Sequence, residues 1–429
     1  MPEPSAAPPS RLDVTLHDFL MGASSRPAPY TPPSGLVLED PQFPRQPAIY
    51  ATRDEDLNSP PLLPPPQRHW GMRDVGRDLK AWLMPYVRAR VLPGNFHPMI
   101  AYLFTEWKCN LDCHYCWACN NSVQGMTEPV ARAALDWLAA NGTGVLALMG
   151  GEPLLRPGFV HKVVYYATKR GMWVYLPTNG RLLRPEVVDK LGDAGVATVN
   201  LAVDSVEVKP SLPKALAPIR SYFEYLCKRQ YRYGFTVFFN INICRNNLQD
   251  VKQLTEIARE HGISTDYHLN ESPMTEHGDF KHLERNETYI RREDWPAVDA
   301  TIDWIIEKNQ SGYKMVDSVQ RLQAMKRFMR GEQGPWGCRA GQNTLIVRVD
   351  GTLAPCFPLY SATRDWGAVG AHKFDKRQLD DMKTSCSTTC FSTLNHNVAM
   401  AYNDARVIKF LLKQAAHGFR GITGSMDQS

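Results

Sequence analysis

The 429-residue chain has little of what marks membrane, secreted or nucleic-acid-binding proteins. No apolar run reaches the ~18 residues that a membrane span needs. Its first residues, MPEPSAAPPS, have neither a basic n-region nor an apolar h-region, so no secretory signal is expected and the location is read as cytoplasmic. Charge of one sign is not in large surplus. The 49 Lys and Arg against 44 Asp and Glu leave +5, too little to make nucleic acid the expected partner. No internal repeat is visible. Without export, structural disulfides are not expected either.

What is present is 43% hydrophobic residues, enough for a sizeable core. At ~100–200 residues per domain the length implies two or three domains, or one barrel with extensions. Ten cysteines need a role in a reducing compartment. Eight fall in two groups: Cys109, Cys113, Cys116 and Cys119, then Cys338, Cys356, Cys386 and Cys390. Grouped thiols in such a chain read as metal or iron–sulfur ligands. Cys227 and Cys244 stand apart and read as buried thiols.

Prolines divide the chain. Nineteen of 32 lie in the first hundred residues, so 1–70 is expected to be extended or disordered. Residues 71–97 read as a helical lead-in interrupted at Pro85. A basic amphipathic segment of this kind can lie on a membrane, but a lid helix on the next domain is the favoured reading. Over 98–290 short apolar runs alternate with helical patterns. The runs are Ile100–Thr105, Val145–Met149, Trp173–Leu176, Ala197–Val203, Thr236–Ile243 and Thr265–Leu269. This implies parallel βαβ units, better suited to a partial barrel than a closed eightfold one. Linking helices follow over 291–335. Gly334-Pro335-Trp336-Gly337 marks a boundary, and 336–429 reads as short strands and turns carrying the second cysteine group.

The first group lies directly after the first strand, where parallel α/β sheets bind ligands. Its spacing is C-x3-C-x2-C over Cys109, Cys113 and Cys116. Three thiolates in one loop can hold three irons of a cubane and leave the fourth open to a substrate. Zinc held by Cys109, Cys113, Cys116 and Cys119 is an alternative. The spacing, with Tyr115 before the last cysteine, resembles the signature of the radical S-adenosylmethionine (SAM) superfamily. The resemblance implies a partial (β/α)6 barrel and a 4Fe–4S cluster on Cys109, Cys113 and Cys116 whose open iron chelates SAM. Cys119 then becomes structural or spare.

Further strand ends resemble the same family. Gly150-Gly151-Glu152-Pro153 is similar to its GGEP motif, in which paired glycines allow close backbone approach and a carboxylate suits an ammonium group. Thr178-Asn179-Gly180 resembles its T-N-G turn. Asp204-Ser205 resembles the pair near the SAM ribose, and Tyr115 the ring near the adenine. Asn240 and Asn242 share one face of the fifth strand. Asp266, His268 and Asn270 share a face of the sixth, and Glu271 follows. Tyr267 and His268 are the candidate groups acting on substrate. Tyr267 is read as a donor or acceptor of a hydrogen atom.

In the second group, Cys338-x12-Gly351-x4-Cys356 spans a hairpin that should bring the two thiols together. This is similar to the SPASM or twitch extension of radical SAM enzymes. The resemblance implies an auxiliary 4Fe–4S cluster on Cys338, Cys356, Cys386 and Cys390, with zinc as the alternative. It also implies reductive SAM cleavage and hydrogen-atom abstraction from a peptide or small-molecule substrate. The reductant would be a flavodoxin or ferredoxin. The stretch Pro98–Asn242 is also similar to the adenosylhopane-type group, which implies adenosyl transfer to a lipid as the alternative. A non-enzymatic iron–sulfur or zinc protein is the alternative of another class.

Overall fold

The computed structural model describes residues 71–116, 121, 123–269, 286–332, 334, 336–357, 366–386, 390, 392–404 and 406–416. Residues 1–70, Cys119, Asn270 and Glu271 lie outside these, so the expectations placed on them fall there too.

Helix α1 (Met72–Val91) leads into β1 (Ile100–Glu106). Then α2 (Glu128–Ala140), β2 (Val145–Gly150), α3 (Pro157–Lys169), β3 (Trp173–Thr178), α4 (Pro185–Ala194) and β4 (Thr198–Ala202) follow. They continue as α5 (Arg220–Tyr233), β5 (Thr236–Ile243), α6 (Leu248–Glu260) and β6 (Ser264–Leu269). All neighbours from β6 to β1 pair in parallel. The sheet stays open, with β6 and β8 at its edges, so the fold is the expected partial α/β barrel. Its strands are apolar runs because helices cover one face and the lumen the other. One core cluster extends from Ala101 to Phe357.

Two expectations change. The hairpin of β7 (Thr344–Val347) and β8 (Leu353–Ala354) is continuous with the barrel sheet. β7 lies parallel to β1, with Ile100 opposite Thr344 and Leu103 opposite Val347. All four β7 residues are buried, so joining an existing apolar edge removes them from water. Pro85 does not interrupt α1, which runs through it. Proline removes the amide that would bond the Ala81 carbonyl. Gly144 lies against that carbonyl, where a Cβ would come within 1.7 Å of the oxygen.

Beyond β6, α7 (Trp295–Gln310) and α8 (Val319–Met329) match the expected linking helices. The C-terminal part is more helical than its composition suggested: α9 (Lys376–Cys386), α10 (Thr393–Asn403) and α11 (Arg406–Ala416). Val407, Leu411 and Gln414 form the buried stripe of α11 at helical spacing. Tyr86 and Ala89 of α1 pack with Tyr402, Val407 and Leu411 in a second core. The Tyr402 hydroxyl donates to the Ala89 carbonyl at 3.1 Å. α1 is therefore a lid on the strand amino ends, held by α10 and α11.

Candidate active site

The cysteine loop leaves the carboxyl end of β1. Cys109 and Cys113 are buried and Cys116 is half-buried. Buried Glu106 anchors the loop's entry, its Oε1 accepting from the amides of Trp107 (3.0 Å) and Lys108 (3.2 Å). The Cys109 amide donates to Asn121 Oδ1 at 2.9 Å, and the Cys116 amide to the Cys113 carbonyl at 3.0 Å.

The paired glycines let two backbones meet. The Gly151 amide donates to the Glu106 carbonyl (3.0 Å) and the Glu152 amide to the Lys108 carbonyl (2.8 Å). A Cβ on Gly150 would lie 2.1 Å from the Glu106 carbonyl oxygen, and one on Gly151 2.2 Å from that of Lys108. The close approach is to the cysteine loop itself.

Glu152 is 1% exposed. Its Oε1 accepts from the Leu154 amide (2.9 Å) and the Thr178 hydroxyl (2.8 Å), and Oε2 from the Asn179 amide (2.8 Å). Burial raises its pKa, and these donors oppose that. The carboxylate thus ties the ends of β2 and β3 together, and Oε2 keeps acceptor capacity. Asn179 completes the link, its side-chain Nδ2 donating to Asn110 Oδ1 at 2.7 Å inside the cysteine loop.

The loop after β4 supplies a group that no motif announced. Tyr115 Oη donates to Asp204 Oδ2 at 2.5 Å, and Lys214 Nζ donates to Tyr115 Oη at 2.9 Å. Lys214 also lies 5.1 Å from the Tyr115 ring centroid. Burial works against the Lys214 charge, but Cys113, Asp204, Cys116 and Cys109 outweigh it and raise the pKa. One ammonium therefore lies within electrostatic reach of all three thiols. Only a lysine in a Pro-Ser-Leu-Pro-Lys run marked it, which is no recognisable signal. Burial pushes the Asp204 carboxyl up, and its Oδ1 accepts from the Asn242 amide at 2.9 Å. Ser205 is fully buried and donates to the Leu212 carbonyl at 3.3 Å, within its own loop.

On β6, Asp266 and His268 share a face, with Nε2 3.2 Å from Asp266 Oδ2. Arg321 of α8 reaches Asp266 Oδ1 at 3.0 Å and Asp317 Oδ1 at 2.5 Å. Burial opposes the Asp266 charge, but His268 and Arg321 hold its carboxyl below the usual range. Tyr267 corrects an expectation. It is fully buried, and its hydroxyl bonds Thr255 of α6 at 2.6 Å. Strand alternation turns it to the helix layer, away from His268 and the lumen, so it is a core residue and not a hydrogen-atom relay.

Cys338 and Cys356 are half-buried and flank Lys383, whose Nζ donates to the Cys338 carbonyl at 2.8 Å. Burial lowers the Lys383 pKa, and Cys338 and, more weakly, Cys356 oppose that. The Cys390 carbonyl accepts from the indole of Trp336 at 2.8 Å. The Cys386 side chain lies outside the described groups.

Among the described residues, no three His, Cys, Asp or Glu side chains converge closely enough to hold a single metal ion. A cubane instead takes one thiolate per iron. Three cysteines on one short loop, with a neighbouring ammonium to balance thiolate charge, fit such a cluster by donor chemistry.

Residues 108–271 match the family model described as Radical SAM superfamily. This stretch is a radical SAM domain. The family uses a 4Fe–4S cluster with SAM. The AdoMet-dependent heme synthase of Methanosarcina barkeri is 33% identical over 183 residues, covering 41% of this chain and 50% of that protein. The chain spans about half the length of the curated relatives it matches. Among solved structures, anSMEcpe with bound AdoMet is similar at 15% identity and TM-score 0.52, covering 75% of this chain and all of that one. Streptococcus suis SuiB bound to the precursor peptide SuiA is similar at 12% identity and TM-score 0.52, covering 81% and 80%. At these identities the likeness to solved structures shows the fold alone. Among the described residues, no helix is long and apolar enough to cross a membrane.

Proposed function

We propose that the chain is a radical SAM enzyme that abstracts a hydrogen atom from a peptide or small-molecule substrate. The observation that carries this is the locked set of strand ends. Cys109, Cys113 and Cys116 sit on a loop bonded through Glu106, Asn110 and Gly151 to the GGEP and T-N-G turns. Those three thiolates would hold the 4Fe–4S cluster. When bound, the cluster and SAM supply one-electron reductive cleavage and a 5′-deoxyadenosyl radical.

The chain's own residues position and exclude. Gly150, Gly151, Glu152, Thr178 and Asn179 hold three strand ends in register around the SAM position. Tyr115, Asp204, Ser205 and Asn242 would form the other wall of that site, and Lys214 would balance the thiolate charge. His268 is the titratable group best placed to face substrate from β6, and Asp266 orients its ring. The barrel wall keeps water from the reacting atoms. Cys338, Cys356, Cys386 and Cys390 would hold an auxiliary 4Fe–4S cluster. A flavodoxin or ferredoxin in the cytoplasm would deliver the electron.

Streptococcus suis SuiB, which shares this fold, is bound to its precursor peptide SuiA, so a peptide is the first substrate class to test. The test is transfer of label. Deuterated candidate peptides and small molecules, incubated anaerobically with the reconstituted enzyme, SAM and dithionite, should yield deuterium in 5′-deoxyadenosine by mass spectrometry. The adenosyl group joined to the substrate, with no label in 5′-deoxyadenosine, would overturn hydrogen abstraction in favour of adenosyl transfer.

A further inference from the structure

A cavity of about 300 Å³ lies at the amino ends of the strands, opposite the cysteine loop. Ile100, Val145, Trp173 and Thr236, each the first residue of its strand, line it, and Trp82 of α1, Val398 of α10 and Phe410 of α11 close it. Asp266 is the one charged group in its lining. An apolar cavity of about 150 Å³ stays dry and accepts a benzene-sized hydrocarbon. This one has twice that room.

The helices that close it have unusual outer faces. Met84, Val87 and Val91 recur along one side of α1 and are 44%, 39% and 69% exposed. Ile408 and Leu412, one turn apart on α11, are 39% and 52% exposed. The two helices pack together. Between them they carry eight basic and two acidic side chains, a larger surplus than the +5 of the whole chain. Exposed aliphatic side chains among basic ones are the pattern of a helix seated on an anionic lipid surface. A cavity lined by hydrocarbon directly behind such a face can take up a chain leaving that surface.

We propose that this end of the barrel binds the hydrocarbon chain of an amphiphile drawn from an anionic lipid surface, with α1 and α11 as the surface-seated elements. The cavity does not include the cysteine loop and does not rest on the SAM reading, though it shares Asp266 with the wall that carries His268.

The test uses the full chain and two probes. It should float with vesicles containing phosphatidylglycerol and not with phosphatidylcholine alone, and added salt should weaken this. Decanol should bind one per chain by calorimetry. Val87→Asp with Ile408→Asp should weaken vesicle binding by roughly tenfold or more and leave decanol uptake intact. Ala147→Phe fills the cavity and should abolish decanol uptake while vesicle binding persists. Ala401→Phe on the closing helix does the same should the first variant fail to fold. Indifference of the wild-type chain to both probes would overturn the proposal. So would a dimer that Val87→Asp dissociates, since the face would then belong to a second copy.

Discussion

At their carboxyl ends the barrel strands run into Glu106, Gly150, Glu152, Thr178, Asn179 and Asp204. At their amino ends the same strands begin with Ile100, Val145, Trp173, Thr198 and Thr236. The first end is held by directional bonds: each buried carboxylate accepts from named amides or hydroxyls. The second is held mainly by packing, as where Trp82 meets Trp173 edge-on at 5.2 Å, with one buried hydroxyl pair, Thr198 and Thr236, at 2.5 Å. An unmet hydrogen bond in the interior costs its full desolvation, whereas an apolar wall tolerates small changes of shape. Changes at the carboxyl end should therefore be all-or-none, and changes at the amino end graded.

The largest expected effect is Cys113→Ala. Iron and sulfide should fall to what an auxiliary site alone would hold, whereas Cys119→Ala should leave both unchanged. The reverse pattern would move the triad to other thiols. Next is Arg321→Met, which leaves Asp266 and Asp317 buried without their cation and should cost about 3–5 kcal/mol by urea unfolding. In the wild type the depressed Asp266 carboxyl contributes stability at neutral pH that is lost as pH falls through its folded pKa. Without Arg321 both carboxyls are more easily protonated, so the variant's deficit should narrow from neutral to mildly acidic pH. A deficit that widens would contradict the pairing.

Gly151→Ala should cost about 1–3 kcal/mol, because its Cβ meets the Lys108 carbonyl. It should also lower cluster content, which iron analysis reads. The smallest effect, and of opposite sign, is Gly76→Ala in α1, where a Cβ meets nothing within 4 Å. It should raise stability by about 0.5–1 kcal/mol in thermal unfolding. Equal losses at Gly76 and Gly151 would erase the contrast between the two ends.

The six barrel strands and the cysteine loop were legible because both are local. Short apolar runs announce strands buried on two faces, and C-x3-C-x2-C needs only one loop. The placing of β7 beside β1 was not, because the sheet edge it joins lies more than two hundred residues away. Lys214 was not legible, since its value comes from the thiols and Tyr115 folded around it. Tyr267 was misread because alternation alone does not say which face of β6 looks inward; the bond to Thr255 decides that. The α10 and α11 helices were legible in principle. The spacing of Val398 and Tyr402 carries the first and that of Val407 and Leu411 the second, but neighbouring cysteines point equally to strands and turns.

The most direct test of the central claim, that the carboxyl-end site cleaves SAM, is chromatographic. The full chain, reconstituted anaerobically with iron and sulfide, is incubated with dithionite and SAM beside Cys113→Ala, and 5′-deoxyadenosine is quantified. The wild-type chain should produce it and the variant should not. No 5′-deoxyadenosine above background from the wild type, with its iron and sulfide in place, would contradict the assignment.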